Sequence, residues 1–593
     1  MSTMILKRFR GSYRPCPRMV AVGVEIAVAA IFAAGGEASS PHLAHTGLGA
    51  IQVPSGFRVE KVAGAGLVNY PMMGTIDDRG RLFLCESSGN TLTTEQMAAK
   101  PDYVIRMLED TDGDGIYDRS TIFADHLTLP AGAVWYRGAL YVATPPDLLR
   151  LEDTDGDGVA DRLDVIVTGW HLSSNAASLH GPFFGPDGWL YLTDGRHGFD
   201  IKTKDGREYK GEASRIWRLR PDGTGLEWVA GGGFDNPVEL VFLPTGETFG
   251  TMTYFQDPRD GQRDAIMHWV WGGVYPKPYP VTSEFKRTGD LMPVMTKFAR
   301  IAPAGLLRYR STSFGAEYKG NLFSAQFNPH RVQRHILSRD GATFHTQDSD
   351  FLTSVDPDFH PTDVIEDSDG SLLVVDTGAW FIHGCPISRV AKPEIKGSIY
   401  RIRKIGSPVV RDPRGEALNR NEKTPVELTR YLEDSRPAVR DRVQELLVEA
   451  GDRAIDALVA TRENSPWYET RSAAVWALFR IGTSRAKEGV RSALEDPNFH
   501  VRIAAARAAG MARDREAVDR LAQMVIDDQP GTRRQSATAL GQIGDPRAVP
   551  ALISAASRAT NRFNEHSVTY ALIELNSSGP VIEALKNANP KNP

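Results

Sequence analysis

Between residues 70 and 376, apolar positions come in short strand-like runs, each led by a polar turn that closes on Gly. The unit occurs six times: Asp78-Arg79-Gly80 before Leu82-Phe83-Leu84, Arg137-Gly138 before Leu140-Tyr141-Val142, Pro186-Asp187-Gly188 before Leu190-Tyr191-Leu192, Pro244-Thr245-Gly246 before Thr248-Phe249, Tyr318-Lys319-Gly320 before Leu322-Phe323, and Ser368-Asp369-Gly370 before Leu372-Leu373-Val374. Gly accepts positive φ in a turn, and the runs that follow have the Leu, aromatic and β-branched content that packs sheet on sheet. The turn glycines lie 50 to 74 residues apart, room for four short strands with their loops. That is one propeller blade, so six copies predict a six-bladed all-β propeller over residues 50–404. A closed ring needs its last blade completed, and the strand Gly56-Phe57-Arg58-Val59-Glu60-Lys61-Val62-Ala63 is placed to do it.

After residues 405–423, rich in Pro, Arg, Asn and Gly and read as a linker, the period changes from 2 to 3.6. Val439-Arg440, Thr470-Arg471, Val501-Arg502 and Thr532-Arg533 recur every 31 residues, each opening an Ala/Leu-rich helix, with a looser fifth copy near His566. Residues 424–586 therefore predict an all-α HEAT-like solenoid, giving a multi-domain chain. The repeated Arg is expected to bond helix ends and carboxylates of the neighbouring repeat.

Composition narrows the class. The 593 residues exceed one ordinary core, and a net charge of −5 gives no nucleic-acid footprint. Lys7, Arg8, Arg10, Arg14 and Arg18 precede the apolar stretch Met19 to Ala34 and the small residues around Gly36, so residues 1–38 read as a secretory signal. Export, to a periplasm for example, is the expectation, with membrane association through an uncleaved segment as the alternative. Cys16, Cys85 and Cys385 are the three cysteines; no CxxCH occurs, so no covalent haem is encoded, and pairing of Cys85 with Cys385 depends on the fold.

Two acidic loops stand out. Asp110, Asp112, Asp114 and Asp118 occupy positions 1, 3, 5 and 9 of a calcium loop with Gly115 at 6, and Asp153, Asp155, Asp157 and Asp161 repeat the pattern with Gly158. Closely spaced carboxylates around a Gly turn supply the oxygens that Ca²⁺ takes, and position 7 adds the carbonyls of Ile116 and Val159. The bidentate Glu of position 12 is replaced by Thr121 and Asp164. Both loops are expected as elaborated hairpin turns at the blade rims, where an ion would be structural.

The starts of the innermost strands ring the axis of a propeller. Polar residues there are His180, Asp235, Asn236 and His360. A neutral His can take a proton from a substrate hydroxyl near neutral pH; the alternative for each is a side chain bonding the adjacent loop, and Pro361 favours that for His360.

The stretch His180-Gly181-Pro182-Phe183-Phe184-Gly185-Pro186-Asp187-Gly188-Trp189-Leu190-Tyr191, with Phe234-Asp235-Asn236-Pro237 and the closing Gly397 to Arg403, resembles the glucose/sorbosone dehydrogenase family of soluble quinoproteins. It is most similar to the subgroup known as membrane-bound dehydrogenases of planctomycete-like bacteria, in which this propeller is often joined to HEAT repeats. The resemblance implies a PQQ-type dehydrogenase acting on a sugar or alcohol, with His180 as general base and Asn236 orienting substrate or cofactor. Electrons would pass to a separate acceptor, and the HEAT domain would dock that protein or another chain. The family carries Arg where this chain has Asp235. A tricarboxylate quinone needs cations, and Arg196, Arg308, Arg310 and Arg331, with His360, are the candidate cofactor contacts. The rival reading is a non-catalytic propeller with a helical adaptor, binding a glycan or protein; a third is a Ca²⁺-dependent hydrolase or lactonase.

Overall fold

The computed structural model describes residues 46–587 except 91, 175–176, 258–260, 278–279, 380–391 and 419–422. The proposed signal segment, Cys16 and Cys385 lie outside the described residues, whereas Cys85 is buried in a blade. No helix among the described residues is long and apolar enough to cross a membrane.

Six sheets of four or five strands follow one another along the chain, antiparallel except where Gly273–Tyr275 runs parallel to Glu227–Gly232 at the edge of the third. Their innermost strands are Pro71–Ile76, Ala133–Tyr136, Leu179–Phe184, Asn236–Phe242, Pro303–Arg308 and Pro361–Glu366. Each packs against the next, and Pro361–Glu366 packs back on Pro71–Ile76, so the ring closes. The closing strand is the N-terminal one: Phe57–Ala63 pairs antiparallel with Ser398–Lys404, Phe57 opposite Lys404, as the sequence pattern predicts. All six turn glycines have positive φ, between 80° and 92° (Gly80, Gly138, Gly188, Gly246, Gly320, Gly370). An L side chain is strained there, which is why Gly marks every blade. The core lies between sheets, in clusters such as Phe83, Phe123, Leu140 and Leu151 between the first two blades.

Five two-helix repeats follow. Their first helices are Pro437–Ala450, Tyr468–Ile481, Phe499–Met511, Pro530–Ile543 and Arg562–Leu575; their second helices include Ile455–Asn464, Ser484–Ser492, Val518–Asp527 and Val549–Ala556. Two of the four repeated arginines bond as expected, whereas Arg440 reaches only carbonyls, Asp434 O at 2.6 Å among them, and Arg533 Nε is buried without a partner among the described residues. Arg471 is bidentate to Asp496 and donates to Ser465 O, and Arg502 repeats this with Asp528 and Asp496 O. Residues 405–418 are fastened rather than loose: Arg414 donates to buried Asp367 at 2.7 Å, and Leu418 joins the helical core.

The first helices face the propeller, at the end where the Gly turns emerge. Trp476 Nε1 donates to Pro244 O at 2.8 Å, Arg480 pairs with Glu445 beside Tyr136, and His566 Nδ1 meets Thr288 Oγ1 at 2.8 Å. Glu247, one residue past the fourth turn Gly, is fully buried between Arg339 (2.6 Å) and Arg534 (2.5 Å). Burial alone would raise this carboxyl; the two guanidiniums outweigh it and hold it well below the usual range. The solenoid thus covers the turn end, whereas at the opposite end, where the inner strands start, the one α-helix among the described residues is the short Thr94–Ala99 of the first blade.

Candidate functional site

Every inner strand runs from the open end to the covered end, so residues at its start share one rim. In five of the six, pairing with the second strand shifts register just after the start: between His180 and Phe183, Pro237 and Leu240, Pro303 and Leu306, Pro361 and Asp363, and Pro71 and Met73. Such bulges re-aim side chains. Neighbouring blades brace them: Thr193 Oγ1 donates to Pro237 O and Thr251 Oγ1 to Ala304 O, both at 2.6 Å.

His180 is the second residue of its strand and 5% exposed. Its Nδ1 lies 3.1 Å from Ser178 O, so this nitrogen carries the proton and Nε2 keeps the lone pair. Burial lowers its pKa to about 4, so the ring is neutral at pH 7. Gly132 lets the second blade pack its backbone onto the residue after His180, since a Cβ there would fall 2.8 Å from Gly181 N.

The next blade supplies Asp235 and Asn236. Asp235 forms an ion pair with Arg196, from the loop after the second strand of the preceding blade. Gly195 makes that approach possible, since a Cβ there would sit 2.3 Å from Ala177 O and 2.7 Å from Asp235 O. Lys277 lies near enough to perturb Asp235 and stacks over the Tyr254 ring at 4.1 Å. Burial pushes the Asp235 carboxyl up, and Arg196 and Lys277 pull against it. Asn236 Oδ1 is buried without a hydrogen bond to any of the described residues. In the sixth blade His360 is 3% exposed, bonds Gly378 O through Nδ1 at 2.6 Å, and donates its backbone N–H to Asp376 Oδ1 at 2.8 Å. It stacks on Phe327 with ring centroids 4.5 Å apart. His360 thus bonds the adjacent loop.

Three expected cofactor contacts are corrected. Arg310 lies beyond the far end of its inner strand, at the covered end, where it is bidentate to Asp441 of the solenoid (2.9 and 2.7 Å). Arg308 shares that end and donates to Phe242 O. Arg331 opens a third strand, two strands out from the axis, and is spent on Gln326 (2.7 Å) and Asp350 (2.9 Å). Sequence reasoning missed Lys277, and also Glu239 and Asp363, whose carboxyls face each other at the axis; burial and then the Asp363 charge push Glu239 well up. Asp363 accepts Gly74 N at 2.9 Å and Glu239 accepts Leu306 N at 2.6 Å. Their signal was a carboxylate two residues after the strand-start Pro, in Pro237-Val238-Glu239 and Pro361-Thr362-Asp363.

The acidic loops are hairpin turns between the third and fourth strands of the first two blades, Tyr103–Glu109 to Arg119–Leu127 and Asp147–Glu152 to Arg162–Thr168. In each, three carboxylates (Asp110, Asp112, Asp114; Asp153, Asp155, Asp157) bring ligand oxygens within 4.8 Å of one another. Asp118 and Asp161, expected as ligands, brace the loops by accepting from Thr111 Oγ1 (2.7 Å) and Thr154 Oγ1 (2.6 Å). Each loop also clasps the preceding blade: Tyr117 N donates to Val62 O at 2.9 Å and Ala160 N to Phe123 O at 2.8 Å.

A family model described as "Domain of unknown function (DUF7133)" matches residues 44–404. The chain belongs to that family. In this DUF7133 member a second model, HEAT repeats, matches residues 487–573. The six-bladed propeller joined to HEAT repeats, which the resemblance implied, is therefore present. No curated protein matches. Among solved structures the DUF7133 chain is similar to the holo pyranose dehydrogenase PQQ domain of Coprinopsis cinerea (13% identity, 60% of this chain and 97% of that one, TM-score 0.40). It is similar too to a calcium structure of the carbohydrate-active enzyme family AA12 protein of Trichoderma reesei (13%, 60% and 97%, 0.40) and to a glucose dehydrogenase (13%, 58% and 99%, 0.39). At TM-scores below 0.5 none of these carries the architecture, which rests on the blades themselves.

Proposed function

We propose that the open end of the propeller is the active site of an exported dehydrogenase that oxidises a sugar or alcohol hydroxyl. The observation that carries this is His180: a buried, neutral imidazole whose Nδ1 is committed to Ser178 O, leaving Nε2 as acceptor at the rim. Nε2 takes the hydroxyl proton, and Asn236, with its unpartnered Oδ1, orients the hydroxyl-bearing carbon. Arg196 and Lys277 outnumber Asp235, so the rim beside Asn236 keeps the net positive charge that an anionic quinone such as PQQ requires. PQQ, when bound, supplies the hydride acceptor. Calcium on the Asp110 and Asp153 loops fastens neighbouring blades. The first helices of the solenoid are taken by the propeller, so a second chain docks on the outward row, while an electron acceptor meets the open end itself.

The pairing of Asp235 with Arg196 also favours a second reading, a binding propeller without turnover, because it consumes the cation nearest Asn236. Titration of calcium-replete full-length protein with PQQ, followed by absorbance, separates the two. Saturable binding lost in Arg196→Gln supports the dehydrogenase; no binding at high PQQ leaves the binding module.

A further inference from the structure

Where the third and fourth blades meet the solenoid, a recess of about 10 Å³ lined by Arg218, Arg507, Arg534, Trp271 and Gln542 adjoins a cavity of about 250 Å³ that shares Arg218, Trp271 and Gln542 and is also lined by Arg513, Glu227 and Glu574. Charge here is unbalanced. Arg218 is matched by Glu227 at 2.8 Å and also feels the buried Asp187 carboxylate. Arg534 and Arg339 share the single carboxylate of Glu247. Glu574 accepts from Trp271 Nε1 at 2.9 Å, and burial raises it to about 7, which weakens it as a counter-ion. Arg507 is only 9% exposed, yet among the described residues it makes no ion pair and no hydrogen bond, and its Nε is buried unpartnered. Gln542 is equally buried, with Oε1 unpartnered, against Gly510, one helical turn past Arg507.

A guanidinium withdrawn from water without an acceptor is costly, and its planar fork matches a carboxylate or a phosphate bidentately. We propose that this seam between propeller and solenoid is a binding site for a small oxyanion-bearing molecule, a phosphate or a carboxylate, seated in the larger cavity against Arg218 and Gln542, with Arg507 in the adjoining recess. Its ligand contacts both domains at once, so occupancy stabilises their docking. This site is at the covered end of the propeller and is independent of the chemistry at the open end.

The test is thermal unfolding of the full chain with inorganic phosphate or acetate titrated from zero to tens of millimolar, ionic strength being held constant with chloride. A ligand of the folded state raises Tm in proportion to the logarithm of its concentration above Kd. The expected result is a saturably bound anion, phosphate or acetate identifying the class, whose Tm increment vanishes in Arg507→Gln. Should that variant not fold, Gln542→Glu supplies a built-in counter-ion: it should raise Tm in chloride alone and abolish the increment. An unchanged Tm with both anions, or an increment that survives in Arg507→Gln and Gln542→Glu, overturns the proposal.

Discussion

The two ends of the propeller are made from the same six inner strands and are put to opposite uses. At the covered end, charges are matched to charges and closed off: Glu247 with Arg339 and Arg534, Arg310 with Asp441, Glu445 with Arg480. At the open end, ladders are shifted and polar atoms such as Asn236 Oδ1 lack partners. Regular pairing and satisfied ions hold an interface; irregular strands with unsatisfied groups are where a ligand is received. Regular strands dock a domain here, and their bulged starts build a site.

The comparison can be broken most sharply at His180. His180→Ala should lower kcat by about 10²–10⁴-fold, the usual worth of a positioned base, while Tm changes little. With the pKa of His180 near 4, kcat/KM should stay level from neutral pH down to about 5 and fall toward 4 as the ring takes its proton. A profile falling near 6.5 would assign the base elsewhere.

On the covered end, Glu247→Gln should cost about 3–5 kcal/mol by leaving two buried guanidiniums unmatched, read by urea denaturation. Because the folded carboxyl is held below its unfolded value, this contribution is complete above the ordinary Glu range and lost only as pH falls far below it. A loss under about 1 kcal/mol would mean that the ion cluster does not fasten the solenoid. Chelating calcium should lower stability by about 2–3 kcal/mol, the effect of a ligand at some hundred times its Kd, and Asp110→Asn with Asp153→Asn should remove that response. Equal Tm with calcium and with chelator would dismiss the ion.

A pH effect belongs to the open end. Burial raises Asp376 to about 7, so between the ordinary Asp range and pH 7 the folded state holds a proton that the unfolded state has lost. Stability should therefore fall as pH rises through that window, and Asp376→Asn should flatten the slope of Tm against pH. Arg310→Ala, removing a partly exposed pair, should cost about 0.5–1 kcal/mol.

Much of the fold was legible because turn chemistry is local. A Gly at positive φ before an apolar run announces a blade wherever it occurs, and the closing strand 57–63 followed from the need to complete a ring. The site was legible in part. His180, Asp235 and Asn236 stand next to the strand starts, so their placement needed no long-range information. Arg310 was misplaced because an inner strand of six residues rises about 20 Å, enough to carry a residue that follows Pro303–Arg308 to the other end. Lys277 belongs to a segment between outer strands, where no periodicity marks position. The docking of the solenoid rests on isolated residues, Trp476, Glu247 and His566, that look like ordinary core or surface positions until the two domains are brought together.

The most direct test of the division between ends is dye-linked oxidation of a sugar and alcohol panel by calcium-replete, PQQ-loaded protein, with wild type and His180→Ala side by side. The expected result is dye reduction by wild type with at least one substrate and its loss in His180→Ala at unchanged PQQ binding. Equal rates in the two proteins, or PQQ bound with no substrate oxidised, would contradict an active site built on His180.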